Sequence, residues 1–135
     1  MARGPLINRE PDYVDLDLDF FPNPTTADIS MKRGDEAIKR SIRNLILTNY
    51  YERPFQPSIG SSVTKLLFDN STPMTAAFIQ QAVSTCIRNF EPRVRLNEVN
   101  VEMDPDNNGF NVTMKYTILN RESPSVTSLF LERIR

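Results

Sequence analysis

The stretch TAAFIQQAVSTCIRNFEPRVRLNEVNVEMD, residues 75–104, decides the fold. In its first half Phe78, Ile79, Ala82, Val83, Cys86, Ile87 and Phe90 recur at helical spacing, so a helix there has one apolar face. Pro92 disfavours helical dihedrals at residue 91, and the spacing predicts a helix from about Thr75 that stops at about Phe90. Beyond the proline the period becomes two. Val94 and Leu96 share one parity, while Val99, Val101 and Met103 share the other, which predicts a strand with a bulge or register change near Asn97-Glu98.

The corner between helix and strand is Glu91-Pro92-Arg93. Glu91 falls at the negative end of the helix dipole, where a carboxylate is disfavoured by about 0.3–1 kcal/mol. A charge set against its local field generally has a specific cation to meet. Arg93 is a poor sole candidate, because a rigid proline separates the two. The corner reads either as two solvated charges or as a recognition site, and local rules do not separate these.

Working outward, Asn107-Asn108-Gly109 signals a hairpin turn, and Phe110, Val112, Met114, Tyr116 and Ile118 alternate beyond it as a strand. Val126 to Leu131 supplies a further apolar segment near the C terminus. Upstream, Val63, Leu66, Leu67 and Phe68 mark a short helix broken by residues 70–73. The prolines of Glu52-Arg53-Pro54-Phe55-Gln56-Pro57-Ser58-Ile59-Gly60 exclude regular structure, with Phe55 and Ile59 expected to anchor this loop on the core. Ile38, Ile42, Leu45 and Ile46 form the stripe of another helix, which Asp35 can cap; Lys39, Arg40 and Arg43 make a solvated face. Val14, Leu16, Leu18 and Phe20 alternate with Asp15, Asp17 and Asp19, predicting a half-buried strand with an acidic outer face. Ile29 and Met31 mark a return strand after the prolines at 22 and 24. Residues 1–12 read as an extended arm and 13–135 as a single domain. Two strands, three helices and two or three further strands make an α+β fold: an antiparallel or mixed sheet against two longer helices and one short one.

Composition closes off most chemistry. The 135 residues carry a net charge of −1, so no overall field draws the chain to nucleic acid or membrane. No apolar run is long enough to cross a bilayer, and the first residues lack the apolar centre of a secretion signal. The chain has no histidine, which removes Ser-His-Asp and Cys-His catalysis and every histidine metal site. Its four glycines fit neither a P-loop nor a dinucleotide fingerprint. Cys86, the one cysteine, lies on an apolar helix face and reads as a packed thiol.

Asp104-Pro105-Asp106-Asn107-Asn108-Gly109 matches the opening of an EF-hand loop, but its twelfth position is Lys115, a cation where a bidentate acid is needed. A hairpin turn is the better reading, and neither metal nor cofactor is expected. A hydrolase using two carboxylates needs no histidine, and Glu52 with Glu91 would be its candidates. No aromatic-lined cleft is visible in the sequence to support it. The competing reading is a structural part whose exposed strand edges bind extended segments of other chains.

These residues also resemble a known family. Asp15-Leu16-Asp17, Leu45-Ile46-Leu47-Thr48, Glu52-Arg53-Pro54-Phe55, Gly60, Leu66-Leu67-Phe68 and Glu91-Pro92-Arg93, in this order and spacing, resemble the small baseplate wedge protein of T-even-type contractile phage tails. Its relatives include the baseplate initiator of type VI secretion. Where a glycine is common before the Glu-Arg-Pro-Phe loop, this chain has Tyr50-Tyr51. The resemblance implies a non-enzymatic virion component, assembled in the host cytoplasm and present in several copies per sixfold baseplate. It implies the fold of the strand-exchange domain of sheath subunits, with sheath arms accepted into the sheet so that the baseplate templates the sheath. Glu91, Pro92 and Arg93 are implied to dock on the helical core bundle of the wedge, and Glu52, Arg53, Pro54 and Phe55 to form a structural loop. Other wedge proteins and the tail sheath protein are the implied partners, with hub or tube-initiator proteins for the N-terminal arm. A lysozyme activity attached to this family is the alternative.

Overall fold

A computed structural model describes residues 13–17, 19–119 and 121–134. The arm expected over residues 1–12 lies outside the described residues, as does Leu18. The chain divides into two compact units, Met1–Ala37 and Ile38–Arg135.

In the first unit β1 (Val14–Leu16) pairs antiparallel with β2 (Met31–Arg33), Val14 opposite Arg33 and Leu16 opposite Met31. The Asp17 N–H still donates to the Ser30 carbonyl at 2.9 Å, but Phe20 turns left-handed at φ 53° and its N–H donates back to the Asp17 carbonyl. A single bridge, Pro22 with Ile29, precedes the tip. The strand expected to reach Phe20 therefore ends early, and its acidic face is not uniformly outward. Asp17 is buried, with Oδ1 accepting from the Asp19 N–H at 3.3 Å, while Val14, Leu16, Phe20 and Met31 are exposed. A carboxylate that bonds the main chain two residues on offers the backbone a turn in place of a ladder.

Helix α1 (Asp35–Leu47) follows Gly34, which adopts φ 63°. Asp35 and Glu36 occupy its first turn, where the dipole favours acids, so Asp35 stands inside the helix rather than before it. Ile38, Ile42, Leu45 and Ile46 are all buried, as their spacing requires. Beyond α2 (Val63–Leu66), helix α3 (Pro73–Phe90) opens with Thr72 Oγ1 accepting from the Thr75 N–H at 3.1 Å. Pro73 sits at the first helical position, where its missing N–H costs no bond. Thr75, Ala76, Ile79, Val83, Cys86 and Ile87 form the buried arc of α3. Phe78 lies about 100° round the helix from Ile79 and is half-exposed, contrary to the expected stripe.

The sheet of this second unit has the order β3-β4-β5, all antiparallel: β3 (Val94–Asp104), β4 (Gly109–Ile118) and β5 (Pro124–Glu132). The register shifts between Leu96 and Glu98, the bulge that the parity switch predicts, and Asn97 Nδ2 donates to Thr117 Oγ1 at 2.9 Å there. Asp104 pairs with Gly109 across the four residues 105–108, with Asn108 left-handed at φ 53°. Gly109 is needed for room, since a Cβ there would stand 2.5 Å from the Leu131 carbonyl oxygen. Phe110, Val112, Met114, Tyr116 and Ile118 alternate inward and are buried beside Leu129 and Leu131. Each large side chain removed from water contributes about 1.5–3 kcal/mol. Among the described residues the outcome is an α+β fold with three helices, a two-stranded ribbon and a three-stranded antiparallel sheet.

Candidate functional site

Glu91 caps the C terminus of α3, its own N–H still bonding the Ile87 carbonyl at 3.0 Å. Pro92 then redirects the chain into β3, and the two charges flanking it meet. Arg93 Nε donates to Glu91 Oε1 at 2.6 Å and Nη2 to Oε2 at 2.9 Å. Arg93 is thus a cation that meets Glu91, although the rigid proline between them makes it a poor sole candidate from sequence. The proline fixes the turn that lets the guanidinium fold back as a two-pronged grip. A third partner comes from α1: Ser41 Oγ donates to Glu91 Oε2 at 2.6 Å. Nothing in the local sequence pointed to Ser41, fifty residues upstream.

The Glu91 side chain is 2% exposed and that of Arg93 is 23% exposed. Burial pushes the Glu91 carboxyl upward, but the bonds from Arg93 and Ser41, with the Arg93 charge, outweigh it and hold the group below its ordinary value of 4.5. The carboxylate is a buried anion that holds the Arg93 guanidinium at the partly exposed corner. The ion pair also ties the end of α3 to the start of β3, and Ser41 adds α1.

The second candidate region spans residues 49–61. Its ends are fastened by a parallel bridge between Asn49 and Ser61, and Ser61 Oγ donates to the Ile46 carbonyl at 2.6 Å. Glu52 Oε2 accepts from the Asn49 N–H at 2.8 Å, so this carboxylate staples its own loop. Gly60 is packed so closely that a Cβ would stand 2.7 Å from the Asn49 carbonyl carbon. Phe55 was expected to anchor the loop and does the opposite: it is left-handed at φ 65° and fully exposed. Tyr51, also left-handed at φ 67°, is exposed with it, while Ile59 is only partly buried.

The remaining groups offer little chemistry. Burial pushes the Cys86 thiol up to about 11, and its Sγ donates to the Leu45 carbonyl at 3.7 Å. In the 104–109 turn, Asp104 accepts from Asn107 and Asn111, and Lys115 pairs with Glu98 at 2.8 Å. Among the described residues no group of three His, Cys, Asp or Glu could hold a metal ion. An open groove of about 310 Å³ is lined by Tyr50, Leu66, Phe78, Ala82 and Thr85 together with Ser62 and Gln81; neither Glu52 nor Glu91 reaches it. No described helix is long and apolar enough to cross a membrane.

The family described as baseplate wedge protein gp25 matches residues 32–123. The chain is 32% identical over 107 residues to baseplate wedge protein gp25 of Enterobacteria phage T4, covering 79% of this chain and 80% of that protein. The chain belongs to the gp25 baseplate wedge family. It is therefore a structural baseplate protein of the contractile-tail type, as the resemblance of its motifs implied. Solved structures share its fold. A putative tail lysozyme from Geobacter sulfurreducens superposes with a TM-score of 0.69 at 20% identity, covering 75% of this chain and 92% of that one. A chain of the anti-feeding prophage baseplate gives 0.63 at 21%, covering 92% and 88%, and one of the postcontracted pyocin R2 baseplate gives 0.53 at 16%, covering 88% and 99%. At these identities the likeness is one of fold.

Proposed function

We propose that this gp25-family protein joins the core of a baseplate wedge to the contractile sheath and templates the first sheath ring. The Glu91-Pro92-Arg93 corner would seat it on the helical core bundle of the wedge, and its sheet would accept extended arms of sheath subunits, as in the strand-exchange domain of the sheath itself. The observation that carries the seat is the buried grip between Glu91 and Arg93. A carboxylate that is buried, ionised and committed to one arginine fixes the direction of that arginine at a surface. A guanidinium with a preset direction loses little freedom on meeting a partner's carboxylate or carbonyl.

Strand acceptance rests on backbone complementarity, with each added hydrogen bond contributing about 0.5–1.5 kcal/mol. The loop held by Glu52, with Arg53, Pro54 and exposed Phe55, is a structural display rather than a catalytic element. Other wedge proteins and sheath are the partners, the virion tail is the location, and assembly takes place in the host cytoplasm. No enzymatic role is proposed. The general acid of a glycosidase needs a raised pKa, whereas Glu91 is held low by its partners. The test is baseplate assembly with Arg93→Ala or Glu91→Ala protein: folded variants should fail to enter wedges. Normal incorporation of both would remove the proposed seat.

A further inference from the structure

Tyr51 and Phe55 hold a costly backbone conformation without burying their rings. Both are left-handed, at φ 67° and 65°, a region that glycine and asparagine enter readily and bulky side chains rarely do. Yet Phe55 is fully exposed and Tyr51 is 84% exposed. Such a conformation persists only where the surrounding structure imposes it, and here the loop does so. The Tyr51 N–H donates across the loop to the Pro57 carbonyl at 2.8 Å, and the Ile59 N–H donates to the Gln56 carbonyl at 3.2 Å. The bridge between Asn49 and Ser61 and the Glu52 staple close the base of the loop. Pro54 and Pro57 restrict φ on either side of Phe55. The two rings are thus held outward on a tied frame.

We infer that the tip of this loop is a preset anchor: the Tyr51 and Phe55 rings, with Arg53 between them in sequence, dock into an apolar pocket with a carboxylate at its rim on another baseplate protein. Composition and charge favour that partner. Aromatic rings and arginine are enriched at the centres of protein interfaces and among the residues whose loss weakens binding most. Glu52 and Arg53 are the only charges in residues 49–61, and the Glu52 carboxylate is turned onto the Asn49 N–H. Exposed Arg53 is therefore the charge the tip presents, and a carboxylate is its complement. Rings fixed before contact lose little freedom on docking, which favours affinity. Tyr50 lines the groove with Leu66 and Phe78, so apolar surface continues from the loop onto α2 and α3. A bilayer is the rival partner, but a loop with one cation and no net charge has little hold on an anionic surface. The anchor is independent of both the Glu91–Arg93 seat and strand acceptance.

The experiment measures binding of the full chain to baseplate particles assembled without it, for the parent, Tyr51→Gly, Phe55→Gly and the double variant. Glycine removes the ring and suits a left-handed backbone, so each variant should melt no lower than the parent. Each should nevertheless bind at least about tenfold more weakly. Arg53→Glu should weaken binding too, by setting like charges together. Parent-like binding by the double variant would refute the anchor. A lowered melting temperature in the glycine variants would show that the rings serve the fold, and would overturn it equally. Binding lost in Arg93→Ala but kept in the loop variants would sink the anchor and spare the seat; the reverse pattern would do the opposite. Co-sedimentation of the parent, but not the double variant, with vesicles of phosphatidylethanolamine and phosphatidylglycerol would assign the loop to a bilayer and overturn the protein partner.

Discussion

Arg93 folds back across Pro92 and holds both carboxylate oxygens of Glu91, at 2.6 and 2.9 Å, while Ser41 secures the same carboxylate from another helix. One residue thus joins the end of α3, the start of β3 and the middle of α1. These bonds make the corner a matter of stability as well as of the proposed seat.

Glu91→Ala removes three hydrogen bonds to a buried carboxylate and leaves Arg93 without that partner. The expected loss is about 1.5–3 kcal/mol, below the 5–15 kcal/mol total typical of a domain, so the protein stays folded. Urea unfolding should show a lowered midpoint with an unchanged slope. A midpoint equal to the parent's would mean the grip is energetically idle.

The same group sets an acid limit. Its folded-state pKa lies below the ordinary 4.5, so the unfolded chain binds the proton more readily. The stability it contributes is present above the unfolded value and is lost as pH falls through the folded one. Stability should decline below about pH 4.5, and Glu91→Gln should flatten that part of the decline. Parallel acid-unfolding curves for parent and variant would contradict the assignment.

Cys86 is buried, and its thiol is held near 11. A thiol-reactive disulfide reagent at pH 8 should label it only as the protein unfolds, with the rate rising alongside denaturant. Rapid labelling of native protein would show that the α1–α3 packing around it opens readily.

Gly60→Ala places a methyl against the Asn49 and Tyr50 main chain, where contacts of 2.7–2.8 Å cannot be relieved by a rotamer change. A loss of at least about 1–3 kcal/mol is expected, with disturbance centred on residues 49–61 in amide NMR spectra. Wild-type stability would mean that this loop is not held closely at its base.

Purified protein should fail to clear peptidoglycan, and Glu52→Gln should leave any background unchanged, because Glu52 staples its loop by accepting from Asn49. Turnover that depends on Glu52 or Glu91 would reverse the structural reading.

Much of this was legible in the residues because it depends on period. The stripe of α1, the stop at Phe90, the bulge at Asn97 and the alternation of β4 all follow from which side chains avoid water at spacings of 3.6 and 2. The errors fell where side chains act on the main chain or on distant elements. Asp17 turned inward and ended a strand that alternation alone would have extended. Phe55, apolar but held left-handed, was exposed instead of anchored.

The sequence by itself determined the order and kind of the elements, the absence of histidine chemistry and, through its motif spacing, the family. Only the tertiary structure decided that Glu91 and Arg93 satisfy each other, that Ser41 completes the corner, and that Gln80 of α3 meets the Val99 carbonyl of β3. Periodicity records which face of an element is buried. It carries no record of which polar groups meet once faces from distant parts of the chain are brought together.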